Sequence, residues 1–282
     1  HYNVDLKEDT LIHVDGLPEG ARVRIGVMDS YDGTTMTMLS PGKGPSNGYI
    51  HVGSTLPQHK PVEGSSSAQM SLKTSQLLGP WVPIVGTPST IVFNQDTSAS
   101  GTQATAQATT LQDGLYYDAW ANAALSTTKN VQGGNMEYST ESMIVPIWSD
   151  GQLSGTHAVP YTGGDTSVPD EIREFATQKS AAEQGDLAKA RAIERHLLHS
   201  LGMNARVVMG AYPNDSKGGD IDLRGSDVHA WVEVEFQGVG WAIFDPTPPR
   251  DQKPIAEETR PRSVPRPQVL QPPEPPEEPA DL

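Results

Sequence analysis

The spacing of apolar residues changes period at Asp165, and that change constrains the fold more than any other feature of the chain. Before it the pattern is one of strands and turns. Val23, Ile25 and Val27 alternate with Arg22, Arg24 and Gly26, the period-two signature of a half-buried strand, and Asp32-Gly33 supplies a turn. Trp81 to Gly86 and Thr90 to Phe93 read as further short strands separated by Thr87-Pro88, and Gly114 to Tyr117 and Met136 to Ser139 resume the same character. Between Asp96 and Thr110 the chain is almost entirely Ser, Thr, Ala, Gln and Gly. That stretch has too few apolar side chains to offset the entropy of ordering, so a loop or hairpin tip is expected.

After Asp165 the pattern turns helical. Pro169 stands where a helix would start, Asp170 and Glu171 place negative charge in its first turn, and Ile172, Phe175 and Ala176 recur at three and four. This predicts a helix to about Lys179. A second helix is expected from Asp186 to Ser200, with Leu187, Ala190, Ile193, Leu197 and Leu198 on one stripe and Gly202 ending it. Ala205 to Met209, Val228 to Phe236 and Gly240 to Phe244 then read as strands, the last two joined by a hairpin at Gln237-Gly238-Val239. Helices followed by antiparallel strands predict an α+β arrangement for this half. From Lys253 to Asp281, nine of 29 residues are proline, which predicts an extended spacer or, alternatively, a ligand for a proline-binding module. The expected organisation is therefore a β-rich N-terminal domain over residues 1–165, an α+β domain over 166–250 and a Pro-rich linker over 251–282.

Composition narrows the partners. A formal net charge of −15 and a pI near 4.8 exclude a nucleic-acid or anionic-lipid surface, because no basic stretch is dense enough to displace counterions from phosphates. The chain has no cysteine, so disulfides, thiolate metal sites and iron–sulfur clusters are excluded. No motif implies a cofactor. No run approaches the roughly 18 apolar residues of a membrane helix, and the start at His1 carries no signal-peptide pattern. Opening on histidine and closing on a proline-rich run, the chain reads as a piece cut from something longer, whose remainder could hold an anchor.

Chemistry concentrates in three segments: Leu201 to Gly210, Asp227 to Val234 and Gly240 to Pro248. The second puts His229 on a strand, and the third puts Asp245 at the end of the strand beside it, so an imidazole and a carboxylate can meet. In this order and spacing the segments resemble the transglutaminase-like superfamily, papain-like α+β folds with a triad of Cys at a helix N-terminus, His on one strand and Asp on the next. The resemblance spans residues 169 to 248. It implies that His229 is the family histidine and Asp245 the family aspartate. In such acyl transfer a thiolate attacks a glutamine amide, the imidazole holds the ion pair and returns the proton to the leaving ammonia, and the carboxylate fixes the imidazole.

The nucleophile is missing, and two alignments describe its loss. Counting back from Gly202 by the family spacing reaches Leu187, just after Gly185-Asp186, so an aliphatic side chain would replace the thiol. Alternatively, Val168 to Ile172 and Lys189 to Leu197 resemble the paired helices that precede the cysteine helix. The chain would then pass from Leu198 to Leu201 without the segment that bears it. Ser180 and Ser200 lie near the right region but lack a helix-opening position matching the motif. Gly42-Lys43-Gly44 lacks the phosphate-binding loop of a Walker sequence and reads as a turn. His196 and His199 have no assignable acidic third ligand, and Asp215, Asp220, Asp222 and Asp227 do not follow EF-hand spacing, so a solvated helix face and a solvated loop are expected. No metal site is expected.

A second resemblance lies upstream. Gly16 to Gly26 with Asp29 to Gly33, and Gly79 to Pro83, are similar to the extracytoplasmic region before the transglutaminase core in bacterial polytopic membrane proteins, where a proline-rich linker follows a Phe-Asp-Pro-Thr-Pro motif. This implies an exported soluble part of a membrane-anchored parent at the cell envelope. Three functions follow as expectations. The chain is a catalytically silent module binding protein or cell-envelope partners in the old substrate groove, lined by Trp231 and Trp241. Alternatively it derives from a protein-glutamine gamma-glutamyltransferase or cysteine peptidase whose nucleophile segment is missing. In the third, the β domain binds and the second domain supports it.

Overall fold

The computed structural model describes residues 4–28, 30–31, 36–37, 48–77, 79–94, 110–126, 134–161, 170–192, 202–213 and 217–245. The N-terminal strands are β1 (Thr10–Leu17) and β2 (Val23–Met28), followed by the short pair β3 (Ser30–Tyr31) and β4 (Met36–Thr37). Next come β5 (Ile50–His51), β6 (Ser66–Leu77), and β7 (Trp81–Val82) and β8 (Ile84–Val85) on either side of Pro83. β9 (Thr87–Phe93), β10 (Leu115–Asp118), β11 (Ala123–Ser126) and β12 (Gly134–Ile144) complete the first stretch. Helices α1 (Asp150–Leu153), α2 (Asp170–Ser180) and α3 (Asp186–Ala192) precede β13 (Ala205–Ala211), β14 (Gly219–Arg224), β15 (Val228–Phe236) and β16 (Gly240–Phe244).

These elements make the fold mostly β, which corrects the α+β expectation. Two early strands pair with late ones, β1 with β14 and β2 with β13. The sheet that holds the site has the order β16-β15-β13-β2-β8, and a second has the order β14-β1-β6-β12-β9. Both combine strands from either side of residue 165, and residues up to Thr247 fall in one compact unit. A third sheet, β5-β10-β11-β7, is built from the first stretch alone. The Pro-rich segment lies outside the described residues, as do His196, His199, Ser200, Asp215 and Gly42-Lys43-Gly44.

Local chemistry explains where the strands differ from the sequence pattern. Pro83 carries no N–H and splits the expected strand at Trp81 to Gly86 into β7 and β8, which join different sheets. Pro88 by contrast sits inside β9, because β9 is the edge of its sheet, and the ladder shifts register beside it, between Glu141 and Ser142. Asp220 and Asp222, expected in a solvated loop, lie on β14: they alternate with Ile221 and the fully buried Leu223, and β1 pairs Val14 with Ile221 and His13 with Asp222. The Asp222 carboxylate lies 2.7 Å from His13 Nδ1. Among the described residues no group of three or more His, Asp or Glu is placed to hold a metal ion.

Packing on the two faces of the β13/β15/β16 sheet follows the strand alternation. Val207, Val232, Val234, Phe236, Ala242 and Phe244 point to one face, where Leu153 of α1 and Ala190 of α3 complete a buried cluster. Val208 and Trp231 point to the other, against Ala121 and against Ala123 of the third sheet. In α2 the expected stripe is only partly realised: Ala176 is fully buried, but Phe175 is 48% exposed.

Candidate functional site

Alternation also decides which side chains meet. Residues paired across an antiparallel ladder project to the same face. β13 pairs Arg206 with Glu233, Val208 with Trp231 and Gly210 with His229, and β15 pairs Glu235 with Trp241 and Glu233 with Ile243. On β2, Arg24 is opposite Gly210. One face of the sheet therefore gathers His229, Trp231, Glu233, Arg206, Arg24 and Trp241, with Asp245 just past the end of β16.

His229 and Asp245 are brought together through Tyr212, the residue that follows β13. The Tyr212 ring lies 4.9 Å from the His229 ring, centroid to centroid, and its hydroxyl donates to Asp245 Oδ2 at 2.7 Å. The same oxygen accepts from Arg22 Nη1 at 2.9 Å, an ion pair whose partners are each only 20% exposed. Arg22 also stacks over Tyr212, its Cζ 4.0 Å from the ring centroid, and faces the Trp231 ring at 5.1 Å. Asp245 thus has its charge neutralised by a guanidinium. Replacing Tyr212 by phenylalanine keeps the ring contacts and removes one hydrogen bond to a carboxylate, and urea unfolding should register a loss of about 1.5 kcal/mol.

Deeper on the same face lies a buried charge cluster. Arg206 Nε and Nη2 donate to Glu233 Oε2 at 2.8 and 2.5 Å, and Trp231 Nε1 donates to Glu233 Oε1 at 3.0 Å. Arg24 Nη1 stands 3.6 Å from that second oxygen. Burial alone would push the Glu233 carboxyl up, but the positive charges of Arg206 and Arg24, with the indole and guanidinium hydrogen bonds, hold it down at about 2. Arg206 is locked further by Nη1 donating to the Trp120 carbonyl at 2.9 Å and by Trp241, whose ring lies 3.8 Å from its Cζ. Burial, and then the charges of Arg206 and Arg24, press the His59 imidazole toward its neutral form.

A cavity of about 460 Å³ opens above this cluster, with Arg22, Arg24, Arg206, Trp231, Trp241 and His59 among its lining residues. The two tryptophans have different places in it. Trp231 is completely buried, while Trp241 is half-buried in the wall and meets Trp120 edge to face at 5.7 Å. Neither Leu187 nor Ser180 lines this cavity. Leu187 packs against the cluster of Val232, Val234 and Phe244 on the opposite side of the sheet. The hydroxyl of Ser180 is buried and donates to the Ala176 carbonyl at 2.9 Å within its own helix.

Residues 156–246, which carry β13, β15, β16 and both His229 and Asp245, match the core of the transglutaminase-like superfamily. No curated protein sequence matches the chain. Among solved structures, the periplasmic domain of TgpA from Pseudomonas aeruginosa bound to ethylmercury is similar at 14% identity, over 84% of this chain and 89% of that one, with a TM-score of 0.43. A second structure of the periplasmic domain of TgpA is similar at 13% identity, over 84% of this chain and 87% of that one, with a TM-score of 0.42.

The sequence reading names His229, Asp245 and the two tryptophans and does not include the charged residues that lie between them on this face. Arg22 and Arg24 are legible as the polar residues of the β2 alternation. Glu233 and Arg206 each interrupt a run of apolar strand residues. Two opposite charges set in such runs are the signal of a buried pair, since neither could be buried alone.

Proposed function

We propose that the chain is a non-catalytic, transglutaminase-like extracytoplasmic module that binds an extended polypeptide of the cell envelope in the cavity beside His229 and Asp245. The observation that carries this reading is the state of the residual dyad in a chain with no thiol. Asp245 is held by Arg22 and Tyr212, which makes it part of a structural ion pair. An aspartate in a working triad needs its charge to stabilise the imidazolium formed during proton transfer, and here a guanidinium already offsets that charge. The cavity volume is in the range that takes one or two amino-acid residues, and its aromatic and guanidinium walls suit a peptide. The extracytoplasmic placement rests on the likeness of residues 16–33 and 79–83 to the region before the core in exported relatives, and a membrane-anchored parent belongs to the same reading.

Two assays test it. The protein incorporates no amine label into casein, because no thiolate is available to form the acyl intermediate; incorporation above a protein-free control overturns the silent reading. Denatured casein, as an extended chain, binds the intact protein in calorimetry and loses binding in Val62→Arg. Val62 lines the cavity, and its Cγ2 lies 3.5 Å from where a side chain on Gly240 would begin, so the longer arginine takes up cavity space. Unchanged binding in Val62→Arg places the partner elsewhere on the molecule.

A further inference from the structure

A large apolar side chain stands in solvent at the rim of the cavity. Ile147 is 67% exposed, and of the large apolar side chains exposed among the described residues it alone lines this cavity. A lone exposed isoleucine is ordinary on a protein surface, but this one is fixed by its neighbours. The next residue, Trp148, packs against the cluster of Val232, Val234 and Phe244 and anchors the segment. A Cβ on Gly20 would collide with Ile147 Cδ1, and a Cβ on Gly64 would lie 3.2 Å from Pro146 Cγ. Both glycines have positive φ, +72° and +78°, so the backbone itself makes room for the two side chains. Gly64 lies in a turn closed by the Ser65 N–H donating to the Val62 carbonyl at 3.0 Å. Val62 in turn reaches the start of β16, where its Cγ2 is 3.5 Å from the Cβ position of Gly240, the residue before Trp241. These contacts run in series and set Ile147, Pro146, Val62 and Trp241 around one opening, and all four line the cavity. The charges nearby are already matched. Arg22 is paired with Asp245 and Arg206 with Glu233, which also faces Arg24 at 3.6 Å. In the lining, Glu19 and Glu235 outnumber Lys60 by one, which balances the second guanidinium on Glu233.

We propose that the mouth of this cavity is an apolar subsite, in which Ile147, Pro146, Val62 and Trp241 surround one aliphatic side chain of the bound polypeptide. The inference deepens the binding reading above and rests on it for the word polypeptide. A charged group entering here would lose its water and meet charges that are already matched, whereas an aliphatic group gains by leaving water. At about 460 Å³ the cavity has room for a leucine side chain and its flanking backbone. Selection is by burial and shape, with no part for charge.

Four capped tripeptides test it, acetyl-Ala-Xaa-Ala-amide with leucine, asparagine, glutamate or lysine in the middle. Leucine and asparagine have nearly the same shape, so their difference reads apolar burial, and the other two read charge. The leucine probe binds about tenfold tighter than the asparagine probe, the charged probes bind no tighter than asparagine, and the Ile147 δ1 methyl resonance shifts with the leucine probe. Ile147→Ser, at an exposed position where the melting temperature is unchanged, cuts the preference to about threefold or less, and Ile147→Leu keeps it. Equal affinity for leucine and asparagine, tighter binding of a charged probe, or a leucine preference untouched by Ile147→Ser overturns the proposal. So does a wild-type dimer that Ile147→Ser dissociates, because the mouth then belongs to a second copy of the chain. If casein binds and is blocked by Val62→Arg while the probes show no preference, the apolar subsite fails and the binding module stands. A leucine preference lost in Ile147→Ser without casein binding keeps the subsite and overturns the polypeptide reading.

Discussion

Glu233→Gln lowers the melting temperature by roughly 10 °C, the shift expected when about 3–5 kcal/mol is lost from a unit of this size. The cause is charge, since the amide has nearly the same shape. Glu233 is 2% exposed, accepts from Arg206 and the Trp231 indole, and pairs with Arg24 at 3.6 Å. Without its charge two guanidiniums remain buried with no counter-ion, and an unpaired buried charge costs more than the pair contributed. The pH dependence follows with a definite sign. The folded carboxyl sits at about 2 against an ordinary value of 4.5, so the unfolded chain takes up the proton first as pH falls. The stabilisation, on the order of 3 kcal/mol, is complete above about pH 4.5 and is lost as pH falls toward 2. Acid unfolding followed by tryptophan fluorescence checks both statements: the wild type loses stability across that window, and Glu233→Gln lacks this component. A shift of less than about 2 °C would mean that the arginines reach solvent or another anion.

Gly210→Ala is the second large effect, expected to cost about 3 kcal/mol or more through overpacking. Gly210 lies on β13 between β2 and His229 of β15. A Cβ there would collide with the Val23 carbonyl and stand 2.5 Å from the Trp231 ring edge. Neither neighbour can yield cheaply. Val23 is a fully buried residue of the adjacent strand, and Trp231 is a completely buried side chain holding Glu233. Backbone displacement at Gly210 would also move Tyr212, two residues on, and with it the contact to His229 and the bond to Asp245. Chemical denaturation measures the cost, and the Tyr212 and His229 ring resonances report the shift. Wild-type stability in Gly210→Ala would show that β2 and β13 can separate without penalty.

Much of the site was legible because its residues lie close along the chain. Arg206, Gly210, His229, Trp231, Glu233 and Trp241 lie on β13, β15 and β16, with Asp245 just after, and period-two alternation states which of these strand side chains share a face. The hairpin between β15 and β16 sets their register locally. The helix stripe at Leu187 and Ala190 was readable for the same reason, and its packing against Val232 and Phe244 shows why Leu187 cannot stand in for a nucleophile beside His229. β14 was misread because Gly218, Gly219 and two aspartates outweighed the alternation of Ile221 and Leu223, whose partner strand β1 lies some two hundred residues earlier.

The sequence by itself determined the strand at Val23 to Met28, the helix opening at Asp170, the β15–β16 hairpin and the absence of a thiol. Each depends on periods, caps and side-chain chemistry that act within a few residues. Only the tertiary structure decided that β2 joins β13, which brings Arg22 to Asp245 and Arg24 to Glu233 across more than two hundred residues. Pairing between distant strands leaves no local mark, because any two amphipathic strands of matching face can pair and the choice is made by burial of the whole core. That choice turned a solvated-looking row of arginines into the floor of a cavity.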